Sequence, residues 1–173
     1  MSRIDYNLSQ IRGIVFDMDG VLSASTVAVR EDGTLQRHSN VKDGYAIQYA
    51  LRCGLHVAVI SGARDLSMLP AYRSLGIQDV FFHVSRKRPQ LETWMSVHGL
   101  SPHEVAYVGD DIPDIPAMSI VGLPCTPRDA AIEVKNVARY ISPCDGGAGV
   151  ARDIISQILS AQGRWMTDEA FEW

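Results

Sequence analysis

The feature that most constrains the fold of this 173-residue sequence is an alternation of short apolar runs with helix-patterned segments. Ile11–Asp17, Leu55–Ile60 and Val105–Val108 are rich in β-branched residues, and each ends at or runs into acidic residues, serine or glycine. Short apolar runs of this kind are typical of buried strands. Strands that alternate with helices predict an α/β fold with a parallel sheet and helices on both faces.

The rest of the chain supplies the other elements of this fold. The helical spacing of apolar residues predicts helices at Val41–Cys53, Asp65–Leu75, Pro89–His98, Asp129–Asn136 and Val150–Ala161. Further strands are predicted at Val80–His83, Val121–Pro124 and Arg139–Ile141. Asp32-Gly33, between the runs Thr26–Arg30 and Leu35–Ser39, predicts a β-hairpin that projects from the main body.

We predict one domain at residues 8–162, with the hairpin (25–39) inserted into it and no large cap domain. The tail 163–173 has no clear period, so it is either a docked arm or disordered. Its aromatic residues Trp165, Phe171 and Trp173 would allow it to pack on a neighbouring subunit.

Composition excludes several classes of function. The formal net charge of −4 gives no reason to expect a nucleic-acid partner, which needs clustered Lys and Arg. No apolar run is long enough to span a membrane, and the N-terminus lacks a signal peptide's apolar core. The three cysteines include no CxxC pair. We therefore expect free thiols and a cytoplasmic protein without a membrane contact.

Acidic residues follow two of the predicted strands. Asp17 and Asp19 come at the end of the first strand, and Asp110, Asp111 and Asp114 follow Val105–Val108. Ligands of open α/β sheets bind beyond the carboxyl ends of the strands, so these groups should meet. Clustered carboxylates repel one another unless a cation such as Mg²⁺ is present, and an aspartate can also attack phosphorus. The alternatives are a solvated turn and an acidic surface loop.

Two further positions suit a phosphate. Ser61-Gly62 ends the strand Leu55–Ile60, where a hydroxyl and an amide would hold phosphate oxygens. Lys87, within Ser85-Arg86-Lys87-Arg88, would add a positive charge. An ordinary turn and a solvated base are the respective alternatives.

In this order and at these strand ends, the residues resemble the motifs of the haloacid dehalogenase superfamily of phosphatases. The matching positions are Asp17, Asp19, Ser61, Lys87, Asp110, Asp111 and Asp114. The resemblance implies a Rossmann-like fold and a Mg²⁺-dependent phosphomonoester hydrolase that works through an aspartyl-phosphate.

The resemblance also implies a role for each residue. Asp17 is the nucleophile and a metal ligand, and Asp19 is the acid and base, with its backbone carbonyl on the metal. Asp110 completes the protein's share of the metal ligands, while Asp111 and Asp114 orient waters and Lys87. Lys87, Ser61 and Gly62 bind the phosphoryl group. Arg64 is the candidate for a substrate carboxylate or phosphate, with a surface ion pair as its alternative.

Asp17–Leu22, Asn40–Tyr45, Val105–Asp111 and Gly146–Gly149, together with the short hairpin, resemble the cap-less branch. That branch contains 3-deoxy-D-manno-octulosonate 8-phosphate (KDO 8-phosphate) phosphatases of lipopolysaccharide biosynthesis and sialic-acid-type 9-phosphate phosphatases. It implies a phosphorylated sugar acid as substrate and a homotetramer assembled through the hairpins.

The chain departs from the branch at Ala63, Arg86 and Ala148. Ala63 and Ala148 stand where substrate selection is expected, so a sialic-acid-type 9-phosphate or another small phosphate ester stays open. A non-catalytic oligomerising module of the same fold is the alternative from another class.

Overall fold

The computed structural model describes residues 4–171, and within them the chain forms a six-stranded parallel sheet and a separate two-stranded hairpin. The six strands run in the order β5-β4-β1-β6-β7-β8. The strands are β1 (Gly13–Phe16), β2 (Ala28–Val29), β3 (Leu35–Gln36), β4 (His56–Ile60), β5 (Asp79–Phe81), β6 (Val105–Val108), β7 (Leu123–Thr126) and β8 (Tyr140–Ile141).

Helices cover both faces of the sheet. They are α1 (Val41–Arg52), α2 (Leu69–Ser74), α3 (Lys87–Val97), α4 (Ile115–Met118), α5 (Ile132–Lys135) and α6 (Val150–Ala161). Apolar residues of α1, α2 and α6 pack on one face of the sheet, and those of α3, α4 and α5 on the other. The predicted α/β fold, with a parallel sheet between two helical layers and no large cap domain, is confirmed.

Several observed boundaries differ from the predicted ones, and proline accounts for the largest difference. The helix predicted at Asp65–Leu75 begins only at Leu69, because Pro70 fits the first turn of a helix and not its interior. Asp65 instead accepts hydrogen bonds from the backbone and hydroxyl of Ser67. The short helix α4 was not predicted, because Pro113 and Pro116 argue against a helix in a sequence pattern. Both prolines lie near the start of a helical segment, where proline is tolerated.

Strand β1 lies in the middle of the sheet and carries the first acidic motif. It pairs in parallel with β4 on one side and β6 on the other, and all four of its residues are buried. Its carboxyl end therefore delivers Asp17 to the centre of the sheet edge, beside the end of β6. The sequence pattern predicts that these strand ends meet at one edge of the sheet, and the strand order adds that β1 lies at its centre.

Helices α1 and α6 are joined by a buried carboxylate. Asp43, in the first turn of α1, is 3% exposed and accepts a 2.7 Å bond from the backbone N–H of Arg152 in α6. The residue before α6, Gly149, provides no side-chain cap of its own. Asp43 thus satisfies backbone donors at the start of α6 from a neighbouring helix.

The tail packs on α1 of its own chain as far as the described residues extend. The Tyr49 hydroxyl donates to the carbonyl of Arg164 at 2.7 Å, and the Trp165 ring lies 5.7 Å from the Tyr49 ring. Trp173 lies outside the described residues. Within 4–171, no helix is long and apolar enough to cross a membrane.

Candidate active site

The ends of β1 and β6 bring three carboxylates together. The backbone N–H of Asp17 donates to the carbonyl of Val108 at 2.9 Å, so the parallel pairing continues to the acidic residues themselves. One carboxylate oxygen each of Asp17, Asp110 and Asp114 lies within 4.8 Å of the others. A set of hard, anionic oxygen donors at this spacing fits a divalent cation such as Mg²⁺.

Lys87 bridges two of these acids. Its ammonium lies 2.9 Å from Asp17 Oδ1 and 2.7 Å from Asp114 Oδ1, and its side chain is 6% exposed. It is the first residue of α3, which places it under the carboxyl edge of the sheet. Burial alone would lower the pKa of Lys87, but the charges of Asp17 and Asp114 outweigh it and raise that pKa. The ammonium is therefore charged.

The hydrogen bonds of Asp114 distinguish it from the other two acids. Its Oδ1 accepts from Lys87 and from the Tyr107 hydroxyl at 2.8 Å, and its Oδ2 accepts from the backbone N–H groups of Asp110 and Asp111 at 3.2 and 3.4 Å. A carboxylate that already accepts four bonds has little capacity left for a metal. The geometry favours Asp114 as the residue that holds the Asp110 loop and Lys87 in place.

Repulsion inside the cluster is visible in the pKa values. Burial first, and then the charge of Asp114, raises the pKa of Asp17 to about 7, while Lys87 acts in the opposite direction. Burial and the charges of Asp17 and Asp114 raise the pKa of Asp110 to about 8. Both carboxyl groups are thus destabilised as anions when no cation neutralises them.

Two glycines allow the acidic loops to approach each other. A Cβ on Gly20, whose φ is +82°, would lie 1.9 Å from Asp110 Oδ2. A Cβ on Gly109 would lie 2.4 Å from the Asp114 Cβ. Each side chain would displace one of the clustered carboxylates, so the glycines are a steric requirement of the site.

A cleft of about 990 Å³ opens above these groups. Among the sequence-predicted residues, it is lined by Asp17, Asp19, Ser61, Gly62, Arg64, Lys87, Asp110, Asp111 and Asp114. The structure therefore brings every predicted site residue to one cleft. Ala63, one of the departures from the branch, also lines it.

His83 lines the same cleft and was not predicted to belong to a site. Its φ of +58° is unusual for a residue other than glycine, and a ring nitrogen lies 2.8 Å from the carbonyl of Arg64. The backbone N–H of His83 also donates to the carbonyl of Ala63. His83 thus fixes the loop that carries Arg64, a contact that no sequence spacing indicates.

Asp19 lies at the edge of the cleft and faces the hairpin. Both of its carboxylate oxygens accept from Arg37, at 2.7 and 2.9 Å, and the Ser23 hydroxyl donates to Oδ1 at 2.9 Å. Arg37 follows β3 directly and also donates to Asp65 at 2.8 Å. Arg37 is not predicted from the sequence, because its contact with Asp19 depends on how the hairpin folds back over the acidic loop.

No protein-family model matches the chain, whereas curated relatives and solved structures do. The chain is 34% identical over 160 residues to the KDO 8-phosphate phosphatase KdsC of Escherichia coli K12, covering 92% of this chain and 84% of that one. The chain belongs to the KDO 8-phosphate phosphatase family, within the haloacid dehalogenase superfamily. It is accordingly a phosphoric monoester hydrolase.

Solved structures of similar phosphatases share the fold over more than nine-tenths of this chain. The cobalt-bound enzyme from Haemophilus influenzae is 30% identical, with a TM-score of 0.89 over 95% of this chain and 98% of that chain. The enzyme from Moraxella catarrhalis, in complex with magnesium, phosphate and KDO, is 26% identical. Its TM-score is 0.88 over 92% of this chain and 91% of that chain.

Proposed function

We propose that the chain is a Mg²⁺-dependent phosphatase that hydrolyses KDO 8-phosphate through a phosphorylated Asp17. The observation that carries this proposal is the placement of Asp17 at the centre of the sheet edge, between Lys87 and Asp110. The family relatives named above act on KDO 8-phosphate, and one of them holds magnesium, phosphate and KDO. A place in lipopolysaccharide biosynthesis would follow from that substrate.

The hydrogen bonds of Asp17 support Oδ2 as the attacking oxygen. Oδ1 accepts from the backbone N–H of Met18 at 2.7 Å and faces Lys87, which leaves Oδ2 as the nucleophile. The bond from Asp17 Oδ2 to phosphorus forms as the bond from phosphorus to the sugar oxygen breaks. Asp19 supplies a proton to that oxygen, so the sugar leaves as an alcohol.

The second half-reaction releases phosphate. Asp19, now ionised, takes a proton from a water that attacks phosphorus, and the bond to Asp17 Oδ2 breaks. The charge of Lys87, the Ser61 hydroxyl and the Gly62 amide stabilise the transferring phosphoryl group. Asp17, the Asp19 carbonyl and Asp110 would hold the Mg²⁺, which would neutralise charge on the phosphoryl oxygens.

Asp114 and Asp111 support these groups and take no part in bond making. Asp114 orients Lys87 and the backbone of the Asp110 loop through the contacts described above. Arg64, at the wall of the cleft, is the candidate for binding the carboxylate of the sugar acid.

We further propose a cytoplasmic homotetramer assembled through the hairpin, with residues 8–162 as the phosphatase domain and 163–173 as a tail. The hairpin strands β2 and β3 stand apart from the main sheet, and Val29 is 69% exposed. All three cysteines are free, in keeping with a reducing compartment. Light scattering on the wild type and on Val29→Glu tests the assembly; a monomeric wild type would contradict it.

The function is tested by kcat/KM on KDO 8-phosphate, sialic acid 9-phosphates and common sugar phosphates, each with Mg²⁺ and with EDTA. We expect KDO 8-phosphate to be preferred, and EDTA to stop a reaction that Mg²⁺ restores. Asp17→Asn should abolish turnover and phosphoenzyme trapping without loss of structure, and Asp19→Asn should slow both half-reactions. A preference for a sialic acid 9-phosphate would contradict the proposed substrate but not the proposed mechanism. No hydrolysis even of p-nitrophenyl phosphate would favour the non-catalytic module.

A further inference from the structure

Arg37 is a buried positive charge held between two carboxylates from different loops. Its Nε and Nη2 donate to the two oxygens of Asp19, and its Nη1 donates to Asp65 Oδ2. Only 2% of its side chain is exposed. A planar guanidinium forked on a carboxylate fixes both the distance and the plane of that group, which a single hydrogen bond does not.

The partners of Arg37 are themselves fixed. Ser23, from the same loop as Asp19, donates its hydroxyl to Asp19 Oδ1. Asp65 accepts from the backbone N–H of Ser67 at 2.8 Å and from its hydroxyl at 2.9 Å. The direction of the Asp19 carboxylate is therefore set from its own loop and from the hairpin, and Asp65 sets the direction of Arg37.

We propose that Arg37 is a positioning residue for proton transfer by Asp19, held in place by Asp65. The proposal rests on the proposed role of Asp19 as acid and base. Among residues 4–171, those that line the cleft include Asp19 but not Arg37. Because its guanidinium is covered, Arg37 acts through Asp19 and not on the substrate. The hairpin then contributes to catalysis within its own subunit, independently of any assembly that it mediates.

Comparing two leaving groups distinguishes a positioning role of Arg37 from a general structural role. A sugar alkoxide is a poor leaving group, so breaking its bond to phosphorus depends on a well-aimed proton donor. The p-nitrophenolate ion leaves without being protonated. A misdirected Asp19 should therefore slow transfer from a sugar phosphate to Asp17 and hardly affect transfer from p-nitrophenyl phosphate.

The experiment compares Arg37→Met with the wild type in single-turnover reactions. The substrates are p-nitrophenyl phosphate and whichever primary sugar phosphate the wild type hydrolyses best. We expect a loss of about 10–100-fold on the sugar phosphate. The rate of p-nitrophenol release should fall by less than about 3-fold, because this leaving group departs without being protonated. KM for the sugar phosphate should stay near the wild-type value, because Arg37 does not touch the substrate.

Arg30→Met is the matched control. Arg30 lies in the same hairpin, but it is exposed and its Nε donates to the Gln36 side chain at 3.3 Å. Its loss should leave both rates unchanged. Arg37→Lys should restore part of the rate on the sugar phosphate, because an ammonium keeps the charge but cannot bond both oxygens of Asp19 in a fork.

Asp65→Asn tests the proposal while keeping Arg37 itself, and it provides the test if Arg37→Met does not fold. It should produce the same selective loss, smaller than that of Arg37→Met, and no further loss in the Arg37→Met background. Equal losses on both substrates, or no loss in either variant, would overturn the proposal. A wild type without phosphatase activity would overturn the proposed function instead, and a selective loss in Asp19→Asn alone would reject only the role of Arg37.

Discussion

The raised pKa values of Asp17 and Asp110 predict that the metal-free protein loses stability as the pH rises from 6 to 8. Folding raises these pKa values from 3.8 to about 7 and about 8. Over this range the folded state therefore holds protons that the unfolded chain has already released, so the free energy of unfolding falls with pH. The loss begins above the unfolded value of 3.8 and is complete above about 8.

The magnitude follows from the same values. One carboxyl of pKa about 7 and one of about 8 would together lower the free energy of unfolding by about 2–4 kcal/mol between pH 6 and pH 8. For a chain of this size that corresponds to a fall in Tm of about 5–15 °C. A bound Mg²⁺ favours the ionised carboxylates, so saturating Mg²⁺ should remove most of the fall and raise Tm more at pH 8 than at pH 6.

The assay is thermal unfolding at pH 6, 7 and 8, in EDTA and in excess Mg²⁺, for the wild type and two variants. Asp110→Asn removes one clustered charge and should flatten the pH dependence in EDTA. Asp111→Asn is the matched control: it removes the same charge from an exposed neighbour and should change the slope far less, because the charge of Asp111 contributes least to the raised pKa of Asp110. Comparing slopes between variants cancels the contribution of the histidines to the pH dependence of Tm. These include His56, whose pKa is lowered by burial. A wild-type Tm that is flat or rising in EDTA, or equal slopes for Asp110→Asn and the wild type, would refute the reasoning.

Three smaller predictions concern backbone and packing. Gly20→Ala should lower kcat at least ~10-fold by displacing the Asp110 carboxylate. The control Gly33→Ala has the same φ of +82° and open space around it, so it should lose only about 1–2 kcal/mol of stability and no activity. Equal activities of the two variants would contradict the steric argument. Asp43→Ala should lower the free energy of unfolding by about 1–3 kcal/mol in urea unfolding, because it leaves buried donors at the start of α6 unpaired, and an unchanged midpoint would speak against that cap. Tyr49→Phe should lower Tm by about 2–6 °C by removing the bond to the tail, as measured by calorimetry; an unchanged Tm would mean that the tail adds no stability.

The sequence predicts the fold well where periodicity and chain order decide it. Helix Val150–Ala161 and strand Val105–Val108 have the predicted bounds, because each is a continuous apolar pattern with a clear stop. The start of α2 was wrong, since the polar segment before Pro70 forms a turn through Asp65. The strand predicted at Val121–Pro124 lies two residues later, at Leu123–Thr126, where its partner β6 sets the register.

The site is predictable as far as strand ends determine it. Asp17 and Asp110 meet because β1 and β6 are parallel neighbours. The motifs and the fold class predict that the two strand ends share one edge of the sheet, but not that the strands are adjacent. The contacts of Arg37 and His83 could not be predicted in this way. The first depends on the path of a hairpin outside the main sheet, and the second on a backbone conformation that only the folded loop imposes.

The central position of β1 has a consequence for hydrogen exchange. Backbone amides of Gly13–Phe16 are buried and bonded between two strands, so they should exchange with solvent only when the whole domain unfolds. In a separate subunit, amides of the hairpin strands β2 and β3, which are mostly exposed, should exchange through local opening. The proposed nucleophile Asp17 is thus attached to one of the most slowly opening segments of the chain. Asp19, two residues later, takes its orientation from one of the segments that open fastest.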